Sequence, residues 1–234
     1  MTDPRFDLGL YSLPDAAQLV RRSPQTVRNW VRGYRYPVGD RVARAKAVIV
    51  PTTNDPGSLS FINLVEALAL SAFRQTGVPM QRVRRALEYA SAEIDTPHLL
   101  ASKRLLTDGL DLFYRFEEET GESVGLVNIS RGGQKAFADV IHAYLHELEW
   151  GKDRFATRWW PGSTGPGEGL VVVDPRRGFG APVIAGTGIR TEDVFSRFAA
   201  GEPIGALSDD FGVGADRIEE AVRFEAGLLD RLAA

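Results

Sequence analysis

Two histidines four positions apart, His142 and His146, have a spacing that could hold a metal ion. Side chains at i and i+4 share one helix face, and Asp139 or Glu149 would lie near that face. No glutamate follows His142 as a zincin motif requires, and the spacing fixes no third ligand. The chain has no cysteine, which excludes thiolate nucleophiles and cysteine-bound zinc. A surface or core position is therefore the favoured interpretation of both histidines, and a metal enzyme or nuclease is kept as an alternative.

Two further residue patterns that could indicate a catalytic or cofactor site are weak signals. Glu117, Glu118 and Glu119 are consecutive, so they spread around a helix and form a solvated face rather than an acid pair. Residues 178–180 begin like a dinucleotide-binding loop, but Val183 stands where the third glycine belongs and no helix start follows. The sequence therefore predicts a non-enzyme with no catalytic residue, no metal site and no cofactor.

A third set of polar side chains suits hydrogen bonds to DNA. Nine basic residues against four acidic ones give residues 1–50 a balance of +5, which attracts a polyanion. The outward face of a short helical pattern, and the segment after it, supply donors for phosphates and base edges. The predicted DNA-binding residues are Gln25, Thr26, Arg28, Asn29, Arg32, Arg35, Arg41, Arg44 and Lys46.

Two short helices in residues 11–33 must position the first of these residues. The first helix starts after Ser12 and ends near Arg22. The second covers Pro24–Arg32, with Ser23 as its N-cap and Gly33 as its stop. Its predicted buried stripe is Val27, Trp30 and Val31. This is a helix-turn-helix pattern, which also occurs in helical proteins that bind no DNA, but the exposed cations favour DNA binding.

The segments that follow predict a hairpin and then long helices. Residues 34–51 are basic, have a turn at Gly39 and Asp40, and end in a β-rich run at 47–50, which predicts a hairpin wing. Apolar periodicity then predicts an α-hairpin, with one helix from Leu59 that stops at Gly77 and another after Pro79. A further helix is predicted over residues 134–150.

Glycine and proline are dense in residues 161–169, which predicts an exposed linker. We therefore divide the chain into residues 1–160, the linker 161–169, and residues 170–234. The C-terminal part is predicted to have short strands at 171–173 and 182–184. Three helices should follow, and they start at Thr191, Pro203 and Asp216.

The helix-turn-helix, basic hairpin and α-hairpin of residues 11–91 resemble the DNA-binding domain of MerR-type regulators. The resemblance implies that the helix Pro24–Arg32 enters the major groove and that the hairpin grips the flanking phosphates. Helix-turn-helix dimers usually read paired half-sites. We therefore expect a homodimer, formed through the α-hairpin of residues 61–90.

Residues 174–227, which open with DPRRGFGAPVIAGTGIR, resemble a small domain of unknown function in VapB-class antitoxins, whose partners are PIN-like ribonuclease toxins. The residues that carry the resemblance are Asp174, Pro175, Gly180, Pro182, Val183, Ile184, Gly186, Thr187, Ile189, Gly201, Phe211 and the helix over 218–222. The family usually places arginine directly after Gly-Thr, whereas here Gly188 follows Thr187 and the arginine is Arg190. By this resemblance the domain contacts the toxin.

Arginine chemistry gives the toxin contact a mechanism. PIN-like ribonucleases gather carboxylates around Mg²⁺, and a guanidinium pairs with carboxylates through a bidentate fork. Arg190 is therefore predicted to reach the toxin's metal site, and the alternative is a surface pair with Glu192 or Asp193. The full set of predicted toxin-binding residues is Arg176, Arg177, Thr187, Arg190 and Arg231.

The charge of the C-terminal helices points away from DNA. Residues 191–234 hold ten acidic side chains against four basic ones, a balance of −6. Phosphate would be repelled, whereas a basic protein surface would be attracted.

With 234 residues, 44% of them apolar and 25% charged, the chain can form two globular domains. The fold class is predicted as mainly α: a MerR-like winged helix-turn-helix with a helical extension, then a small strand and three-helix domain. Such a chain would be an antitoxin that binds operator DNA and a PIN-like ribonuclease toxin. The alternative is a MerR-like transcriptional regulator in which residues 105–150 sense a small molecule. No stretch is apolar enough for a membrane span, so we expect a cytoplasmic protein.

Overall fold

The computed structural model describes residues 2–53, 57–75, 77–105, 115–116, 119–121 and 144–229. Helix α1 (Leu13–Leu19) and helix α2 (Pro24–Arg32) form the predicted helix-turn-helix, and the predicted bounds of α2 are confirmed. Ser12 caps α1 through a capping box with Asp15. The predicted end of α1 near Arg22 is wrong, because Arg21 takes a left-handed φ of 56° that a helix cannot continue.

A basic β-hairpin follows the two helices. Strands β2 (Tyr34–Val38) and β3 (Arg41–Ala45) pair antiparallel across Gly39 and Asp40, as the turn signal predicts. The predicted β-rich finish at residues 47–50 is wrong. The N–H groups of Val48 and Ile49 instead both donate to the carbonyl oxygen of Trp30, at 2.7 and 3.1 Å. These bonds return the chain to α2 and fix the hairpin against the helix-turn-helix.

The predicted α-hairpin forms the centre of the fold. Helix α3 (Phe61–Gln75) is buried at every position from 61 to 73, whereas helix α4 (Met80–Glu93) buries one side only. A short ladder precedes α3, in which β1 (Tyr11–Ser12) pairs with β4 (Ser58–Leu59). Because α3 lies inside the chain's own core, the outer side of α4 is the part of this α-hairpin that could meet a second copy.

The predicted helix over residues 134–150 is wrong at its C-terminal end. Residues 134–143 lie outside the described residues, and residues 144–146 are helical. Leu148–Trp150 instead form strand β5, which pairs antiparallel with β6 (Ala156–Trp159). Apolar side chains at 144, 145 and 148 suit a helix face, but the backbone hydrogen bonds of 148–150 go to β6. Tertiary pairing therefore overrides the local helical pattern.

A four-stranded antiparallel sheet joins the middle of the chain to its C-terminal part. Its order is β5-β6-β7-β8, with β7 at Val171–Val173 and β8 at Pro182–Ile184. Trp159 of β6 pairs with Val173 of β7. Residues 161–169 therefore connect two adjacent strands of one sheet. The domain boundary placed there stays a prediction, but strands on its two sides are hydrogen bonded to each other.

Three helices complete the chain, as predicted: α5 (Thr191–Ala199), α6 (Ile204–Phe211) and α7 (Ala215–Leu229). They enclose a small apolar cluster of Ile184, Val194, Leu207, Ile218 and Ala221. The far end of α7 leaves this cluster, because Phe224 and Leu228 join the large core that contains α3. The described residues are thus mainly helical, with a helix-turn-helix at one end and a three-helix unit at the other.

Buried polar groups of α3 are satisfied by other segments. The Asn63 amide nitrogen donates to the Val50 carbonyl oxygen at 3.0 Å and to Glu66 at 2.9 Å. The other oxygen of Glu66 lies 3.0 Å from Nδ1 of His98. This hydrogen bond raises the pKa of His98 above its ordinary value of 6.5.

The His98–Glu66 pair makes stability depend on pH. Because the pKa of His98 is raised in the folded chain, the stabilisation is complete below about pH 6.5 and is lost as pH rises through the folded pKa. As pH rises above about 6.5, we expect the free energy of unfolding in urea to fall more steeply for the wild type than for His98→Asn. Asparagine suits the left-handed φ of 53° at this position. Parallel pH profiles would contradict the assignment.

Gly33 should be irreplaceable at the end of α2. Its φ of 69° and ψ of −178° lie in a region open essentially to glycine, and an added Cβ would stand 2.3 Å from the Ala45 carbonyl oxygen. Gly33→Ala should therefore lower the free energy of unfolding by about 3 kcal/mol or more. The control is Gly39→Ala, at φ 57° with open space around the Cβ, which should lose only about 1 kcal/mol. Urea unfolding curves would refute this comparison if the two losses were equal.

Candidate nucleic-acid interface and partner surface

Helix α2 presents its polar face because its opposite face is fixed in the core. Val27 and Trp30 are buried, and the Ser23 hydroxyl accepts a hydrogen bond from the Thr26 N–H at 3.2 Å. Thr26 thus belongs to the cap rather than to the outward face, since its hydroxyl also lies 2.9 Å from that of Ser23. Gln25, Arg28 and Arg32 are exposed.

Two amides on α2 are already paired with each other. Nε2 of Gln25 donates to Oδ1 of Asn29 at 2.8 Å. This bond leaves the amide nitrogen of Asn29 as a donor and the amide oxygen of Gln25 as an acceptor. Such a pair of groups can meet the major-groove edge of adenine, which offers one acceptor and one donor. The sequence prediction named both residues but did not show that they act together.

The hairpin separates its predicted cations onto two faces. Arg35 of β2 stands directly opposite Arg44 of β3, whereas Arg41 faces Val38 on the other side. Like charges directly opposite each other destabilise a strand pair. Within the described part of the chain, no ion pair neutralises the predicted DNA-binding cations Arg28, Arg32, Arg35, Arg41, Arg44 and Lys46.

Two arginines that the sequence prediction did not name hold this surface in place. Arg22 donates to the side-chain and backbone oxygens of Ser71 at 2.8 and 2.6 Å, which fixes the turn between α1 and α2 on α3. Arg84 donates from α4 to the Lys46 carbonyl oxygen and lies over the ring of Tyr34. Burial lowers the pKa of both guanidinium groups. No sequence pattern separates these arginines from the exposed ones, because their partners lie far along the chain.

The predicted toxin-binding residues fall around one loop and one helix start. Arg176 and Arg177 are exposed, and Arg177 donates to the Thr187 carbonyl oxygen at 3.5 Å. The Thr187 hydroxyl is used locally, since it donates to the Ile184 carbonyl oxygen at 2.8 Å. Arg190 precedes α5 and forms two hydrogen bonds with Asp193, at 3.0 and 2.7 Å. Arg231 lies outside the described residues.

The acidic C-terminal helices are partly neutralised within the unit. Arg197 of α5 bonds both Glu202 and Asp210. Glu225 is buried and accepts a hydrogen bond from the Thr191 hydroxyl, and burial raises the pKa of its carboxyl. The remaining acidic side chains of these helices keep a negative surface that disfavours phosphate.

Among the described residues, no three histidine or acidic side chains lie close enough together to hold a metal ion. The described part of the chain therefore offers no site for the metal enzyme considered from the sequence. His146 is exposed at the end of the helical residues 144–146, and His142 lies outside the described residues. None of the described helices combines the length and apolar composition of a membrane span.

The fold combines a capped helix-turn-helix with a small second unit at the C-terminal end. The chain is therefore a helix-turn-helix protein with an appended domain. The family described as "Putative DNA-binding HTH domain" matches residues 9–87. The family described as "Protein of unknown function (DUF433)" matches residues 171–224.

The particular family follows from similarity over nearly the whole chain. The sequence is 35% identical over 229 residues to "Putative antitoxin VapB45" of Mycobacterium tuberculosis (strain ATCC 25618 / H37Rv). The aligned region covers 93% of this chain and 94% of that protein. The chain belongs to this family of antitoxins. The crystal structure of Rv2018 from Mycobacterium tuberculosis has a similar fold, with a TM-score of 0.68 and 29% identity, over 93% of this chain and 99% of that one. Antitoxins and helix-turn-helix domains are not enzymes, which confirms the prediction of a non-enzyme.

Proposed function

We propose that this chain is a type II antitoxin that binds operator DNA through its helix-turn-helix and neutralises a PIN-like ribonuclease toxin through its C-terminal unit. The observation that carries the DNA half is the row of exposed cations on α2 and the hairpin. None of them has an ion-pair partner among the described residues. Phosphates would supply the missing counter-charge and release counterions from the DNA.

Helix α2 enters the major groove in this proposal. Arg28 and Arg32 reach guanines or phosphates, and the Gln25–Asn29 pair reads a base edge. The β2–β3 hairpin acts as the wing of a MerR-like domain, with Arg35 and Arg44 on one face toward the flanking phosphates. Thr26 acts by holding the N-terminal turn of α2, and Arg41 and Lys46 add positive potential at the hairpin's two ends.

Operator binding is proposed to use a homodimer. One helix-turn-helix reads a single half-site, and two half-sites one helical turn apart require a two-fold pair of chains. Because α3 is buried, we place the contact on the exposed side of α4 rather than on the whole α-hairpin.

The toxin half of the proposal rests on membership in an antitoxin family and on the separation of charge along the chain. The C-terminal unit combines an acidic helical surface with arginines at its edge, namely Arg176, Arg177, Arg190 and Arg231. Thr187 holds the turn that carries Arg190 toward the start of α5. An acidic surface associates quickly with the basic RNA-binding groove of a ribonuclease, while a guanidinium pairs with the carboxylates of its metal site.

A regulator that responds to a small molecule is the second function with an observation in its favour, although much of the predicted sensing segment, residues 105–150, lies outside the described residues and the observation concerns a different place. A cavity of about 390 Å³ opens between the end of the hairpin and α4, and its lining includes Val48, Val50, Glu66, Leu87 and His98. Residues that close the hairpin against α2 thus also line this cavity. Operator affinity that changes with a bound small molecule, without any toxin gene beside this one, would favour the regulator.

Base-reading and phosphate-binding variants should differ in their salt dependence. Arg28→Ala with Asn29→Ala should weaken operator binding at least tenfold at fixed salt, because base contacts contribute about 1 to 3 kcal/mol each. Arg35→Gln with Arg44→Gln should weaken binding to all DNA sequences and reduce the slope of log K against log salt by about 2. Lys152→Gln, a loss of charge at the exposed β5–β6 turn, is the matched control. Unchanged operator affinity in both double variants would refute the placement of DNA on this surface.

The proposed role of Arg190 in toxin binding can be tested by a substitution that keeps the positive charge and removes the bidentate guanidinium. If Arg190 leaves Asp193 to pair with toxin carboxylates, Arg190→Lys and Arg190→Ala should both weaken inhibition of the ribonuclease, since lysine lacks the bidentate geometry. The exposed pair with Asp193 contributes about 0 to 1 kcal/mol, so the melting temperature should change little. Ribonuclease inhibition titrations with purified toxin are the measurement. Full inhibition by both variants would exclude Arg190 from the mechanism.

A further inference from the structure

The phenyl ring of Phe179 lies in solvent, where it adds no apolar burial to the folded chain. The residue is 90% exposed and has a left-handed φ of 54°. Bulky residues rarely adopt such backbone angles, which persist when the surroundings over-determine them and cluster at functional sites. The glycines on both sides, Gly178 and Gly180, also have positive φ, 53° and 79°. The loop therefore turns the ring outward.

Contacts at both ends make this loop rigid. The carboxylate of Asp174, which is buried, accepts hydrogen bonds at 2.9 Å from the Arg176 N–H and from the Arg158 guanidinium. At the other end, the Tyr11 hydroxyl donates to the Gly180 carbonyl oxygen at 2.8 Å. A Cβ on Gly180 would stand 2.8 Å from that hydroxyl oxygen, so the close approach needs glycine.

The surroundings of Phe179 indicate what could cover it. Arg176 and Arg177, three and two positions before Phe179, are exposed, and no described residue forms an ion pair with either. Aromatic and arginine side chains are the types enriched at the centres of protein interfaces. A rigid loop loses little conformational entropy when it binds. The acidic helices that follow disfavour DNA as the partner.

We propose that Phe179 is the anchor by which this chain docks onto its toxin. The ring enters an apolar pocket of the toxin, and Arg176 and Arg177 pair with carboxylates at the rim of that pocket. This inference rests on the proposed antitoxin function and assigns the anchor to a residue that the sequence analysis did not include among the toxin-binding residues. The Asp174 and Tyr11 contacts hold the loop in its binding conformation before the toxin arrives.

Replacing Phe179 can show whether the phenyl ring contributes to toxin affinity without a change in the stability of the fold. Phe179→Gly removes the ring and suits the left-handed backbone, so the melting temperature should stay the same or rise. Affinity for the purified product of the reading frame next to this gene should fall at least tenfold by calorimetry, while operator affinity stays within threefold. Phe198→Ala, which removes the half-exposed phenyl of α5, is the matched control and should change toxin affinity less than threefold. Arg176→Gln with Arg177→Gln should slow toxin association and weaken its dependence on salt.

The other outcomes distinguish a wrong anchor residue from a wrong antitoxin function. If Phe179→Gly binds the toxin within threefold of a wild type that does bind it, the anchor is refuted and the antitoxin function stands. If the wild type binds no such product, both are refuted. A Phe179→Gly variant that loses operator affinity, or that becomes monomeric while it still binds toxin, would assign the ring to DNA or to a second copy and overturn the proposal.

Discussion

Burial of α3 on all sides from Phe61 to Phe73 is the constraint on which the rest of the fold depends. A helix with buried Asn63, Glu66 and Ser71 is stable only when each polar side chain finds a partner, because an unsatisfied buried group costs about 1 to 3 kcal/mol. Those partners come from separate segments. The hairpin exit accepts from Asn63, His98 meets Glu66, and Arg22 binds Ser71. The apolar surface of α3 drives collapse without direction, and its polar groups specify which segment docks at which position.

Two groups of described arginines have different roles in this fold. Arg5, Arg22, Arg84 and Arg158 are held by carboxylates, hydroxyls or carbonyl oxygens and fasten one segment to another. The arginines of α2 and the hairpin have no ion-pair partner among the described residues. Their mutual repulsion is tolerated because α2 is anchored through Val27 and Trp30, so the protein can hold a positive surface that is complete before any polyanion binds.

The sheet β5–β8 couples the two ends of the molecule. β6 and β7 pair across residues 161–169, Arg158 binds Asp174, and Tyr11 at the start of the helix-turn-helix binds the Gly180 loop. A truncation at residue 170 would therefore remove two strands and the end of α7 from the shared core. Point substitutions on exposed side chains are the means to test the proposed DNA surface and the proposed toxin surface separately, since they leave these contacts intact.

The sequence by itself determined the elements whose signals are local. The Ser23 cap, Pro24 and Gly33 predicted the bounds of α2, and the glycine and proline signals predicted the hairpin turn and three C-terminal helices, because caps and turns depend on neighbouring residues. The polar face of α2 followed from the same periodicity, and family resemblance supplied the antitoxin assignment. Only the tertiary structure decided that residues 148–150 are a strand, that Arg190 lies on Asp193, and that Phe179 points into solvent. The strand depends on hydrogen bonds to β6, and Arg190 had several possible partners among which only the folded geometry chooses. The Phe179 loop depends on the contact of Gly180 with Tyr11, 169 positions away, and local periodicity encodes none of these.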